Sequence, residues 1–452
     1  MKSVTSVPSP RMQLLLSGPI PLMLWRLAAP NVSAVVIMSV VTFTDALFVG
    51  YLGTAQLASL ALIFPFQTLM QMMAGGAIGG GITSSVARAI GGGSSEKAES
   101  AAWHALIIGG LMAFLYTATL GLFSRPIFAL LGGTGETLEG AVLYAKISFG
   151  GAFVTWAVFI LSAILRGAGD TATPARAMIG GSVLQIVLSG ALTLGWGPVP
   201  KMAIAGPAIA MIVCHGCMAA YLALYLARDK AGTRPRPQCL RLAPLADIMK
   251  VGGMGLLNSI TISFTVVAVT GIVGRYGIEA LAGYGLGSRL ELMLVPIAFG
   301  IGAALTAAVG VNVGAGQFAR ARRIAWTGAG VTFLVTGLIA ITATIFPHLW
   351  LDRFTAEPAV YAFGGLYLSI VAPFYSVFAS GQTLYFASQG TGRMILPVSV
   401  GVVRFIVVAG VGGAALVFSW PLEIVFAGVC AGLMTIGVGL SLCLFGPGWR
   451  PR

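Results

Sequence analysis

The sequence predicts an all-α polytopic membrane protein, with twelve transmembrane helices in two pseudo-symmetric six-helix bundles. Three observations carry that prediction. The 452 residues are 57% apolar and only 9% charged, whereas charged residues make up about a quarter of a soluble domain. Apolar runs long enough to cross a bilayer follow one another along the chain. The second half of the chain also repeats the first at a nearly constant offset.

Taken in order, the first helix covers about residues 27–49, with Pro30 near its start, where a missing amide favours a bend. The second, about 56–90, is longer than one crossing requires. A polar loop then leads to the third (101–123), fourth (141–165), fifth (177–194) and sixth (203–226) helices. The extended polar linker around 228–245 holds Lys230, Arg234, Pro235, Arg236 and Pro237 and divides the chain nearly in half. Helices seven to twelve follow at about 248–273, 281–313, 324–346, 360–387, 395–417 and 422–444. The domain plan is a cytoplasmic N-terminal segment (1–26), an N-lobe (27–227), the linker (228–245), a C-lobe (246–445) and a cytoplasmic tail (446–452).

The repeat is specific. Val49, Gly50, Gly53, Leu57 and Ala58 recur 224 residues on as Val273, Gly274, Gly277, Leu281 and Ala282. At a shift of 223, Thr83, Val86, Gly91, Gly93 and Trp103 meet Thr306, Val309, Gly314, Gly316 and Trp326. At the same shift Tyr144, Gly167, Gly169 and Pro174 meet Tyr367, Gly390, Gly392 and Pro397. Each unit has an even number of helices, so both enter the membrane from one side. The lobes are then related by an axis along the membrane normal, with a cleft between them.

The net charge of +13 raises nucleic acid as a partner, and the placement of the basic residues answers it. Nineteen of the 26 Lys and Arg fall on the side of the termini, four on the other, and Lys146, Arg289 and Arg404 lie within apolar runs. That is the positive-inside pattern of an inner-membrane protein with both termini cytoplasmic. The partners expected are the lipid bilayer and small organic molecules, with no nucleic acid. Pro19, Pro21 and Arg26 interrupt the first apolar run, so a cleaved signal is not expected and the mature chain is expected to begin near Met1. The five cysteines sit in apolar segments or the basic loop and read as free thiols. The Cys214-His215-Gly216-Cys217 run brings no second ligand pair, so no metal site is expected. Gly75 to Gly81 lacks a following Lys-Ser/Thr, which argues against an NTPase and for close helix packing or a flexible point.

Asp45 is the only acid between Met1 and Glu96 and ends the first apolar run. A carboxylate inside a bilayer costs about 2.5 to 3.5 kcal/mol on insertion scales, and such groups mark ion or substrate pathways. Desolvation favours the neutral acid, so Asp45 is expected to carry a proton and release it when the cavity hydrates. The competing reading is a structural cap or ion pair. Glu291 is the other intramembrane acid. It is two residues from Arg289, too close in register to share a helix face, so Arg404 or Lys146 is its expected partner. Glu291 and Arg404 are candidates for either a structural ion pair or substrate and proton binding. Phe64, Phe66, Met70, Met72, Met73, Phe149, Phe153 and Trp156 suit a tolerant cavity, though such residues more often pack helices.

These stretches resemble the multidrug and toxic compound extrusion (MATE) family of secondary transporters. The resemblance rests on Pro30 fifteen residues before Asp45, on the run Asp45 to Gly53, on Val309 to Gly316, and on the inner turns before Pro174 and Pro397. It implies two six-helix bundles around a V-shaped cavity, alternating access, and export of amphipathic, often cationic, compounds in exchange for protons or sodium. Many members couple ions through the first-helix Asp with an Asn and an Asp one turn apart in the fifth helix. Here those positions hold Gln185 and Ser189, and a sixth-helix Thr is replaced by Met211. No acid lies between Ile248 and Val273 to substitute for a seventh-helix Glu. Losing hard oxygen ligands weakens a sodium site, whereas a proton needs one suitable group. Gln185 and Ser189, four apart, share a face of the fifth helix and can orient Asp45 if that face meets it. The alternative for them is ordinary helix-to-helix hydrogen bonding.

The sequence therefore reads as a secondary antiporter exporting amphipathic or cationic organic compounds for protons, without cofactor or metal, functional as a monomer. The alternatives are a sodium-coupled exporter of the same family and a lipid-linked saccharide flippase. An enzyme is not expected, because His104, His215 and His348 are scattered and no catalytic residue is assigned.

Overall fold

The computed structural model describes residues 10–229 and 232–451, which are helical with no strand among them. Eleven helices are long and apolar enough to span a membrane, and a pair bent by 47° supplies a twelfth. We label the spans α1 (Ile20–Gly50), α2 (Thr54–Gly91), α3 (Ser95–Gly121), α4 (Gly135–Gly150 with Ala152–Gly167), α5 (Ala172–Leu194) and α6 (Ala205–Ala227). The second lobe holds α7 (Leu242–Tyr276), α8 (Ile278–Gly314), α9 (Phe318–Ile345), α10 (Pro358–Thr391), α11 (Ile395–Val417) and α12 (Leu422–Cys443).

Several boundaries differ from the sequence reading. Helix one begins at Ile20, not near residue 27, so part of the expected N-terminal segment 1–26 belongs to it. Pro21 falls in the first turn, where no intrahelical amide bond is lost, and therefore does not stop the helix. Likewise α7 begins at Leu242 and absorbs the end of the expected linker 228–245. Residues 1–9, Lys230 and Ala231 in the linker, and Arg452 in the tail lie outside the described residues. Helix four is not one rod: it breaks at Gly150-Gly151. Its counterpart α10 is interrupted 223 residues on by a 3-10 turn at Ala372–Phe374 containing Pro373. Two glycines in one lobe and a proline in the other weaken the same point of the helix. In α2 the glycine-rich run holds a π-helical stretch, Met72–Ile78.

The duplication is visible at the level of single hydrogen bonds. Thr83 Oγ1 donates to the Ala163 carbonyl at 3.0 Å, and Thr306 Oγ1 donates to the Phe386 carbonyl at 2.7 Å. Two apolar cores follow the lobes, except that Met23, Leu24 and Leu27 of α1 and Ala87 of α2 pack into the second-lobe core and Ile248 of α7 into the first.

The lobes close on each other at the end that carries the termini. A Cβ on Gly91 would lie 2.0 Å from the Val311 carbonyl oxygen, and one on Gly314 would lie 2.2 Å from that of Arg88. These contacts are reciprocal under the repeat, and neither position has room for a side chain. Arg88 reinforces them, gripping Asp247 of α7 with Nη2 at 2.9 and 2.7 Å, while Ser85 Oγ donates to the same carboxylate at 2.6 Å. The short helix Pro10–Ser17 lies across this closure. Its Leu15 carbonyl accepts from Asn312 Nδ2 at 3.1 Å, and Arg11 pairs with Asp170 of the first lobe at 3.3 Å. The hydrogen bonds and ion pairs recorded between the two lobes among the described residues lie toward this terminal end.

Candidate functional site

Asp45 sits in the last turns of α1 and is 8% exposed. It faces α5, where Ser189 Oγ donates to its Oδ1 at 2.5 Å and Gln185, one turn earlier, is a second hydrogen-bonding neighbour. The shared face expected for Gln185 and Ser189 is thus the face that meets Asp45. No Lys, Arg or His among the described residues pairs with this carboxyl. Nearby, Gln67 Nε2 lies 3.3 Å from the Tyr144 hydroxyl and 3.7 Å from Met211 Sδ. A thioether therefore occupies the place where the resemblance implies a threonine hydroxyl. The arrangement is a carboxyl that two neutral groups orient and that no cation neutralises.

The second lobe is organised differently. Glu291 on α8 lies 3.9 Å from Arg404 Nη2 on α11, and Tyr367 OH donates to its other oxygen at 2.9 Å. Arg404 also stacks over Phe378 at 5.1 Å, while its Nε and Nη1 are buried without a partner. Of the two partners expected for Glu291, the structure brings in Arg404; Lys146 and Arg289 are exposed. Pro30 lies inside α1, which remains one uninterrupted helix. His215 shares a hydrogen bond with Thr155 Oγ1 at 2.9 Å, and His104 Nε2 accepts from the Arg241 amide at 2.9 Å. Among the aromatic and methionine candidates, Met70, Phe149 and Trp156 are core residues, whereas Phe64 and Phe153 are exposed.

The sequence reading missed the Arg88–Asp247 clasp and the side chains of Arg166 and Gln389, which line a small cavity between the lobes. Arg88 carried one usable signal, a cation one turn before the Gly91-Gly92 turn. Nothing in the linear pattern paired it with Asp247, 159 residues away.

Two repeated six-helix lobes, with spans long and apolar enough to cross a membrane and an acid held among the helices of each, define a polytopic membrane protein. The chain belongs to the MatE family, whose model matches residues 30–190 and 256–416. It is similar to a protein named FAD transporter from Shewanella oneidensis, at 25% identity over 82% of this chain and 84% of that relative. It is 26% identical to a probable multidrug resistance protein NorM from Thermotoga maritima, over 82% of this chain and 80% of the relative. Among solved structures, an outward-facing multidrug resistance MATE family transporter of the MOP superfamily superposes with a TM-score of 0.87 at 23% identity, covering 97% of this chain and 98% of the other. A MOP superfamily transporter from Pyrococcus furiosus, described as having a binding pocket of reversed polarity, also gives 0.87, at 22% identity over 97% and 98%.

Proposed function

We propose that the chain is a proton-driven antiporter of a bacterial-type inner membrane, with both termini cytoplasmic, exporting amphipathic organic compounds by alternating access. The observation that supports this most directly is Asp45, a buried carboxyl oriented by Ser189 and Gln185 and lacking a basic partner. Such a group stays neutral in a dry pocket and ionises when water enters, which couples its proton to the lobe movement that wets it. An inward proton gains about 2.3 kcal/mol per 100 mV of membrane potential, and one chain supplies both lobes. Several relatives are named as multidrug resistance or multidrug export proteins and one as a FAD transporter, which supports organic cargo. The sodium-coupled alternative has less support, because a hard cation favours several oxygen ligands and this site offers one carboxylate with a hydroxyl and an amide.

The test uses everted vesicles with an acidic interior, carrying the intact protein or Asp45→Asn at equal expression. A panel of an organic cation, a neutral flavin and a phosphorylated flavin is added with and without sodium. Proton antiport predicts substrate-induced loss of the pH gradient that is independent of sodium and falls to background in the variant. Loss that requires sodium, or that survives in Asp45→Asn, defeats the reading; a silent panel favours the saccharide flippase.

A further inference from the structure

Where the lobes first close, a cavity of about 10 Å³ lies between α2 and α4 of one lobe and α8 and α10 of the other. That volume admits about one water molecule. Its walls include Gly76, Gly80 and Phe299; of the four polar side chains that line it, Thr83 and Thr306 donate their hydroxyls to backbone carbonyls, which leaves Arg166 and Gln389 as the groups with unused polar atoms. Arg166 stands in the last turn of α4 and is 5% exposed. Its guanidinium has no hydrogen bond or ion pair with any described residue. The nearest acid along the chain, Asp170, is already engaged by Arg11 at 3.3 Å, by the Thr173 amide and hydroxyl at 3.1 and 2.9 Å, and by Tyr225 OH at 3.0 Å. Gln389 donates from Nε2 to the Gly76 carbonyl at 3.0 Å, and its Oε1 is buried without a donor.

The repeat identifies what is unusual. Arg166 and Gln389 are equivalent positions, 223 residues apart. The helix ends that present them are built alike, so the frame accepts a neutral amide at this place. Burying an unpaired guanidinium instead costs several kcal/mol. A fold that tolerates glutamine there gains nothing in stability from the charge.

We propose that Arg166 recognises an anionic group, a carboxylate or phosphate, on the exported compound, at the point where the two lobes meet. This rests on the export reading above and narrows its cargo to amphipathic organic anions rather than organic cations. A guanidinium presents a planar fork of donors that matches either oxyanion in bidentate fashion. The cavity walls come from both lobes, so separating them at the terminal end releases Gln389 from Gly76, widens the pocket toward the cytoplasm and admits a group much larger than water. Closing that end and opening the other turns the same guanidinium toward the opposite side.

The experiment measures equilibrium binding to the purified intact protein in lipid nanodiscs, using riboflavin, flavin mononucleotide and ethidium. The two flavins share a ring system and differ by a phosphate. Flavin mononucleotide should bind at least about tenfold more tightly than riboflavin, the scale of a charge-assisted hydrogen-bonded pair. Arg166→Gln should remove that difference while leaving riboflavin binding as it was, and Arg166→Lys should retain part of it. Without ligand, Arg166→Gln should melt at the same temperature as the intact protein or higher. Equal binding of the two flavins, preference for ethidium, equal weakening of both flavins in Arg166→Gln, or a lowered melting temperature overturns the proposal. No ion gradient is present, so this result is independent of whether protons drive transport.

Discussion

The two lobes share one frame and use it for opposite electrostatics. In the first, Gln67 of α2 meets Tyr144 of α4 at 3.3 Å; in the second, Glu291 of α8 meets Tyr367 of α10 at 2.9 Å. The tyrosines are repeat equivalents at a shift of 223 and their partners at 224. The second lobe has therefore placed a carboxylate where the first has an amide, and balanced it with Arg404. The first lobe instead carries its acid at Asp45 against Ser189, where the second has Val269 and Gly412. An acid with a buried cation beside it joins helices through that pair. One with only neutral donors can change its protonation state at modest cost. The proposed division of labour, coupling at Asp45 and scaffold at Glu291, rests on that difference in counter-charge.

The comparison can be broken most sharply at Arg404. Arg404→Ala leaves Glu291 buried without its cation and should cost about 3 to 5 kcal/mol of stability, read as a lowered melting temperature in detergent. Pairing Glu291→Gln with Arg404→Met should recover most of the loss. Asp45→Asn should leave the melting temperature unchanged or raise it, because no cation there loses its partner. A large loss in Asp45→Asn, or none in Arg404→Ala, would erase the proposed asymmetry.

Next in size are the reciprocal glycines. Gly91→Val and Gly314→Val each drive a side chain into the opposing backbone, where overpacking costs about 1 to 3 kcal/mol. Because the two contacts are related by the repeat, both variants should open the terminal end to a similar degree. Thiol labelling of single cysteines placed on α2 and α8 checks this; markedly unequal labelling would show that one lobe holds the closure alone. The smallest effect is expected at Ser189→Ala. It removes one donor from Asp45, worth about 0.5 to 1.5 kcal/mol, so turnover in the vesicle assay should fall roughly two- to tenfold. A fall to background would make Ser189 part of the coupling group itself, not a positioning residue.

Much of the fold is legible in the chain. Apolar runs mark the spans, and the recurring Thr83 and Thr306, with their symmetric hydrogen bonds, show that the duplication predicts three-dimensional contacts. Asp45 stands out because a lone acid after a long apolar run is costly wherever the helix packs. Helix ends are less legible, since Pro21 and Pro244 look like breakers yet fall in first turns or just beyond them, where proline costs little. The N-terminal helix is eight residues long, too short to declare itself, and its place depends on Asn312 and Arg320 some 300 positions later.

The order of the spans, the two-lobe symmetry and the buried acids were determined by the sequence itself, because bilayer insertion acts on composition and length before any helix meets another. Which side chains face one another was decided only by the tertiary structure. Ser189 reaches Asp45 across 144 positions, Arg404 reaches Glu291 between α11 and α8, and Arg166 turns into the seam between the lobes. Each of those outcomes depends on the rotation of a helix about its own axis, and that rotation is set by packing against neighbours, which hydropathy along a nearly uniform apolar run does not encode.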